Sequence, residues 1–135
     1  MSTIKAANVQ NTGSGAPTFK NSSGTEIGQL AKAWVNFNGS GTVAIRESFN
    51  ISSLADNGTG DYTISFTNSF SNTDYCVVTG GYNTFAGDGS FNVVGNAASA
   101  NYPAGLATGS VRMNTYTNTG NTQDQQAVYV AIFGD

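Results

Sequence analysis

The segment of the chain that most suggests chemistry is the acidic, glycine-rich stretch DNGTGD at residues 56–61. Its two carboxylates, Asp56 and Asp61, are of the kind that calcium binds, but calcium takes ~6–8 oxygen ligands and no acidic residue lies between them. A turn explains every position, because Gly58 and Gly60 accept left-handed backbone angles and the strand-like run YTISFT follows directly. The sequence therefore predicts a hinge between two strands, with no metal site and no cofactor.

Enzymatic chemistry is poorly supported, because the chain has no histidine to act as a general base or metal ligand. Glycoside hydrolysis on two carboxylates stays open, and Glu47 is the carboxylate of interest, since alternation places it on the face of Ile45 and Phe49. The alternatives are a pairing of Glu47 with Arg46, with Arg112 or with a neighbouring subunit, or a position at the exposed end of the strand. The single cysteine, Cys76, lies in the apolar run YCVVTG and is predicted to be a small buried hydrophobe. We expect no enzymatic activity.

Aromatic residues carry the clearest functional signal, because several lie in turn-rich segments among Asn, Asp and Thr. These candidate receptor or glycan contacts are Tyr82, Phe85, Tyr102 and Tyr116. An aromatic ring can stack on the C–H face of a sugar while neighbouring amides bond its hydroxyl groups. Packing at the end of the domain or against another subunit is the alternative for each ring.

The composition narrows the class of protein. The 135 residues suit one domain, and only 10% are charged, compared with about 25% in typical proteins. A net charge of −3 and scattered basic residues argue against nucleic acid as a partner. No apolar run approaches the ~20 residues that span a membrane, and the N-terminus lacks the apolar core of a secretion signal. We expect a part that is made in the cytoplasm, assembled inside a cell and exposed later, as virion components are.

Residues 1–31 differ from the rest, because their apolar residues are isolated between turn formers. Such a segment cannot bury a core by itself, so it is predicted to be an extended or hairpin-like attachment arm that needs a partner. The apolar contacts of the arm are predicted to be Ile4, Val9, Phe19 and Ile27.

From residue 32 to residue 135, short alternating runs recur at sandwich-like spacing and predict an all-β antiparallel β-sandwich, jelly-roll-like in form. The motif NGSG at residues 38–41 predicts a hairpin. Alternation places Trp34 and Tyr129 on outer faces, where rings of this size usually mark an interface. The predicted buried set is Val35, Phe37, Val43, Ile45, Tyr62, Ile64, Phe66, Val77, Val128, Val130 and Ile132.

The run KAWVNFNGSGTVAIRESFNISSLADNGTGDYTISFTNSFSNTDYCVV, residues 32–78, and the closing VYVAIFGD resemble the C-terminal modules of bacteriophage tail-fibre and virion structural proteins, particularly those of cyanobacterial phages. The resemblance implies a β-sandwich-like tip, usually trimeric, and no catalytic residues. Members vary most in the region corresponding to residues 80–125, so receptor specificity is expected there.

The sequence and the resemblance together favour a short tail fibre or receptor-binding tip on the virion surface. Its expected partners are two further copies in a homotrimer, other tail or capsid proteins bound through residues 1–31, and host-surface polysaccharide. A capsid decoration or knob protein with a purely structural role is the alternative. A polysaccharide depolymerase is a third, disfavoured by the missing acid and base residues.

Overall fold

The computed structural model describes residues 19–82, 91–94, 105–117 and 119–134. Throughout these residues the regular elements are β-strands without any α-helix, and every pairing between strands is antiparallel. The expected all-β antiparallel class is confirmed.

The chain divides into two compact units, and the first of them is Met1–Leu30. It contains a two-stranded sheet of β1 (Phe19–Lys20) and β2 (Glu26–Gly28). Asn21 closes this hairpin, because its Oδ1 accepts a hydrogen bond from the backbone N–H of Thr25 at 2.9 Å. The two strands are too short to form many backbone hydrogen bonds, so the Asn21 side chain adds bonds that keep the hairpin closed.

The second unit, Ala31–Asp135, contains two larger sheets. The four-stranded sheet has the order β4 (Ala44–Phe49), β3 (Ala33–Asn38), β11 (Ala127–Phe133) and β7 (Cys76–Tyr82). The five-stranded sheet has the order β5 (Ile51–Gly58), β6 (Asp61–Phe66), β10 (Ser110–Tyr116) and β8 (Phe91–Val94), with β9 (Leu106–Ala107) also paired to β10.

The inner faces of the two larger sheets share one hydrophobic core, which makes the unit a sandwich. Phe37 of the four-stranded sheet and Tyr62 of the five-stranded sheet contact edge to face at 5.1 Å between ring centroids. Most of the predicted set is buried: Val35, Phe37, Tyr62, Ile64, Phe66, Val128, Val130 and Ile132. Two more members, Val43 and Val77, are partly buried and pack against the core.

The prediction for Ile45 was wrong, since 39% of this residue is exposed. Strand β4 is at the edge of its sheet and carries a bulge: Asn36 pairs with Glu47 whereas Phe37 pairs with Ile45, so Arg46 is the extra residue. The bulge reverses the alternation. Glu47 therefore does not share a face with Ile45, and neither does Phe49.

The alternating run SGTVAIRESFNIS, residues 40–52, is divided between two strands that belong to different sheets. The chain passes from β4 to β5 at Asn50, which has a positive φ of 59°. Its side chain holds the corner together: Nδ2 donates to the carbonyl oxygens of Lys32 and Asn68, both at 3.1 Å, and Oδ1 accepts from the Asn68 N–H at 2.8 Å. Asn tolerates this backbone region better than most residues.

Replacing Asn50 by Ala is expected to lower the free energy of unfolding by about 2–3 kcal/mol, through lost hydrogen bonds and left-handed strain. The matched control is Asn50→Gly, which removes the same bonds and keeps the backbone angle at no steric cost. Urea unfolding of both variants separates the two contributions. Equal stabilities for the two variants would contradict the backbone part of this explanation.

Candidate functional site

The outer face of the four-stranded sheet exposes a group of large apolar side chains. The exposed fractions are 55% for Phe49, 36% for Trp34, 54% for Val78, 47% for Tyr129 and 56% for Tyr82. These five residues are called the aromatic face below. Trp34 and Tyr129 come from the two central strands, whose alternate side chains fill the core, so the packed sheet holds these two rings in place.

Strand register explains how the aromatic face is assembled. Phe49 pairs with Trp34, which pairs in turn with Ala131, and Ala131 also pairs with Val78, so one row crosses all four strands. Tyr129 lies in the next row on this face, beside Gly80. An open groove of about 500 Å³ follows these positions; its lining includes Trp34, Asn36, Val78, Gly80, Tyr129 and Ala131.

Polar groups border the apolar part of this face. Asn36 pairs with both Tyr129 and Glu47, which places an amide and a carboxylate in the same row as the Tyr129 ring. The guanidinium of Arg46 is held against the sheet by the Asn36 Oδ1 at 3.3 Å and by the carbonyl oxygen of Phe37 at 3.0 Å. The arrangement combines rings with a hydrogen-bond donor and acceptors, as ligand sites commonly do.

The structure places two of the four aromatic residues singled out in the sequence, and these two lie on different sheets. Tyr82 belongs to the aromatic face, whereas Tyr116 is half-buried on the outer face of the five-stranded sheet. Phe85 and Tyr102 lie outside the described residues. A role in binding stays a prediction for all four.

Two of the predicted arm contacts can be placed. Phe19 is 48% exposed and Ile27 is 67% exposed, while Ile4 and Val9 lie outside the described residues. Leu30, at the end of the same unit, is also more than half exposed. Among the described residues, this unit therefore carries several large apolar side chains that are mostly exposed.

The DNGTGD segment contains the end of β5, the two-residue turn at positions 59–60 and the first residue of β6, so it joins two paired strands as the turn interpretation predicted. Gly58 and Gly60 have φ values of 135° and 64°, and the Asp56 carboxylate accepts the Gly58 N–H at 3.0 Å. Asp61 is engaged by Arg112, whose Nε and Nη2 donate to its two oxygens at 2.9 Å and 2.5 Å. The carboxylate that a metal would need is thus bound to a guanidinium.

Because of the Asp61–Arg112 pair, the stability of the fold is expected to change with pH in the acid range. The hydrogen bonds from Arg112 hold the pKa of the Asp61 carboxyl below its usual value. A carboxyl with a lowered pKa stabilises the fold above its unfolded pKa, and this contribution is lost as pH falls through the folded pKa. Between about pH 5 and pH 2, the melting temperature of Asp61→Asn is expected to fall less than that of the unsubstituted chain. Equal decreases in the melting temperatures of the two proteins across this range would contradict this expectation.

Another carboxylate, Asp124, is bound inside the same end of the sandwich. Its Oδ1 accepts the Gly60 N–H at 2.7 Å and the Tyr62 hydroxyl at 3.0 Å. Burial, followed by the charge of Asp124, raises the pKa of the Tyr62 phenol, which stays protonated as a donor. Both groups therefore hold loops together.

The prediction that Cys76 is buried was wrong, since it is exposed at the first position of β7. Strand β7 is an edge strand, and alternation turns Val77 inward in place of the cysteine. Within the described ranges, no group of three or more His, Cys, Asp or Glu side chains could hold a metal ion. The same ranges contain no helix of the length and apolar character needed to cross a membrane.

Comparisons of the chain with protein-family models, curated proteins and solved structures found no match.

Proposed function

We propose that this chain is a bacteriophage virion structural protein, a short tail fibre or receptor-binding tip that contacts the host surface. The observation that carries the proposal is the aromatic face, an exposed group of rings on a rigid sheet in a chain with few charges. Apolar surface patches of this kind on soluble domains mark interaction sites. The resemblance of residues 32–78 to phage fibre modules is the reason for assigning the chain to a phage particle.

The first unit is the proposed anchor, by which the chain joins other tail or capsid proteins. Its hairpin leaves Phe19 and Ile27 exposed, so these side chains are available to a partner. A chain with one uncovered apolar surface for the particle and another for the target has the parts that an attachment protein requires. The location that follows is the virion surface, reached after assembly in the host cytoplasm.

The proposed working unit is a homotrimer with a jelly-roll-like sandwich in each subunit. Strands β4 and β5 lie at the edges of their sheets, and most of their residues are exposed. The unpaired backbone groups of an edge strand with few charges can form hydrogen bonds with a strand of another chain. Assembly between subunits covers these edges and prevents aggregation through them. The three-fold symmetry itself comes from the resemblance to phage fibres.

Binding without catalysis is the activity we propose. Glycoside hydrolysis needs two carboxyl groups that flank the scissile bond. Asp61 is bound to Arg112, and Asp124 accepts from a backbone amide and a phenol, so neither is directed at a ligand. Glu47 lies beside the aromatic face, in the row of Asn36 and Tyr129, where we expect it to accept a hydrogen bond from a ligand.

Cryo-electron microscopy of particles that carry this chain, together with an adsorption assay, tests the proposal. We expect density for three copies at the tail tip, and we expect the purified chain to reduce phage adsorption to host cells. The double variant Trp34→Ala/Tyr129→Ala should lose this inhibition, whereas the control Phe19→Ala should keep it. Density on the capsid with no effect on adsorption would instead assign the chain as a decoration protein.

A further inference from the structure

Three rings of the aromatic face form a diagonal line across strands β3, β11 and β7. Trp34 of β3 pairs with Ala131 of β11, and Tyr129 lies two residues before Ala131 on β11. The rings of Trp34 and Tyr129 are therefore diagonal neighbours. Tyr82 pairs with Ala127, two residues before Tyr129, and repeats the same step. Diagonal neighbours on one face of a sheet are ~7–8 Å apart. The three rings thus follow one another at regular intervals.

Small residues keep this line of rings accessible. Gly80 pairs with Tyr129, and a Cβ added at Gly80 would lie 3.8 Å from the Tyr129 Cδ2 atom. Ala131 separates Trp34 from Val78 in the neighbouring row. Larger side chains at Gly80 and Ala131 would fill the groove. The rings therefore stay exposed because their neighbours in the sheet are small.

The polar groups at the border suit a ligand rich in hydroxyl groups. Arg46 Nη1 donates to the Asn36 Oδ1, and this contact fixes the amide with Nδ2 as its donor group. Glu47, in the same row, supplies a carboxylate acceptor, and its negative charge offsets the positive charge of Arg46, so this border has no net charge that would select a charged ligand. Rings that stack on C–H groups, an amide donor and a carboxylate acceptor together match an uncharged sugar chain.

The size of the aromatic face also favours a sugar chain over a second copy of this protein. Aromatic side chains present ~150–250 Å² each, so the five partly exposed residues offer on the order of 500 Å². A stable protein interface buries about 800 Å² per partner. The face is therefore too small to hold a dimer by itself, and it is large enough for a few sugar rings.

We propose that the aromatic face binds an uncharged polysaccharide, which runs along the line Trp34–Tyr129–Tyr82. The three rings stack on the C–H faces of successive sugars, while Asn36 donates to and Glu47 accepts from their hydroxyl groups. This inference rests on the proposed function and names the chemical class of the receptor. It assigns specificity to a sheet face built partly from residues outside the variable region 80–125.

Fluorescence of Trp34 tests the inference, because it is the only tryptophan of the chain and lies within the proposed site. The full chain is titrated with hexasaccharides of glucose, mannose, galactose and rhamnose, and with anionic oligogalacturonate. We expect at least one neutral probe to give a saturable shift of the emission, and oligogalacturonate to give none. Tyr129→Ala should weaken that affinity about tenfold or more, whereas Tyr129→Phe and the control Phe19→Ala, a substitution in the other unit, should keep it.

Several results would overturn the inference. One is the absence of an emission shift with every neutral probe, and another is stronger binding of oligogalacturonate. A shift that depends on protein concentration without sugar, and that Tyr129→Ala removes, would assign the face to a second copy. If the chain inhibits adsorption without a sugar-dependent shift, the glycan site is wrong and the proposed function stands. A sugar-dependent shift in a chain found on the capsid would overturn the proposed function alone.

Discussion

Replacing Ile64 by Ala is expected to lower the free energy of unfolding by about 2–5 kcal/mol. Ile64 is fully buried, and it pairs with Leu54 on one side and Val111 on the other in the five-stranded sheet. All three belong to the core or pack against it. Truncation therefore removes apolar contacts and leaves a cavity that the flanking strands cannot close without losing their pairing.

Urea unfolding followed by circular dichroism measures this effect. The matched control is Ile45→Ala, which removes the same atoms from an edge strand where 39% of the residue is already exposed. We expect Ile45→Ala to lower the free energy of unfolding by less than ~1.5 kcal/mol, because much of the Ile45 side chain stays exposed in the folded state. A loss at Ile45 as large as that at Ile64 would show that the core is centred elsewhere.

Replacing Gly60 by Ala is expected to cost about 2–4 kcal/mol, since it combines backbone strain with a clash. Gly60 has a φ of 64°, and an added Cβ would lie 2.6 Å from the Thr115 carbonyl oxygen and 2.7 Å from the Gln123 nitrogen. These are backbone atoms that cannot rotate away. The same region supplies the hydrogen bond from the Thr115 N–H to the Gly60 carbonyl, so the clash would disturb the pairing of the loops.

Gly41 provides the matched control for this variant. Its φ of 67° is almost the same, but nothing lies within 4 Å of an added Cβ. Gly41→Ala is therefore expected to cost only the left-handed penalty of ~1–2 kcal/mol. Differential scanning calorimetry of the two variants isolates the clash as the difference between them. Equal losses would mean that only the backbone angle matters at Gly60.

Much of the sandwich was predictable from alternation and turn residues. The strands that begin at Ala33, Asp61 and Ala127 carry large apolar residues at every second position, and each buries the predicted side. The glycines of the DNGTGD segment were correctly assigned to left-handed angles. These are local properties, because a side chain two positions along a strand returns to the same face whatever the partner strand does.

The errors occurred where a local rule was interrupted by pairing. The bulge at Arg46 places Ile45 and Phe49 on opposite faces, and the corner at Asn50 ends a strand within an unbroken alternating run. Nothing in the run of residue types marks either event, since both depend on the register with β3 and on contacts with Asn68. Edge position, which exposes Cys76, is likewise a property of the assembled sheet.

The sequence alone determined the fold class, the inner residues of the central strands and the outward direction of Trp34 and Tyr129. Only the tertiary structure decided that Tyr82 continues their line while Tyr116 lies on the other sheet. Alternation specifies the face of each side chain within its own strand, because it depends on bonds between neighbouring residues. The order and register of strands far apart in the sequence come from core packing, and they decide which exposed rings become one site.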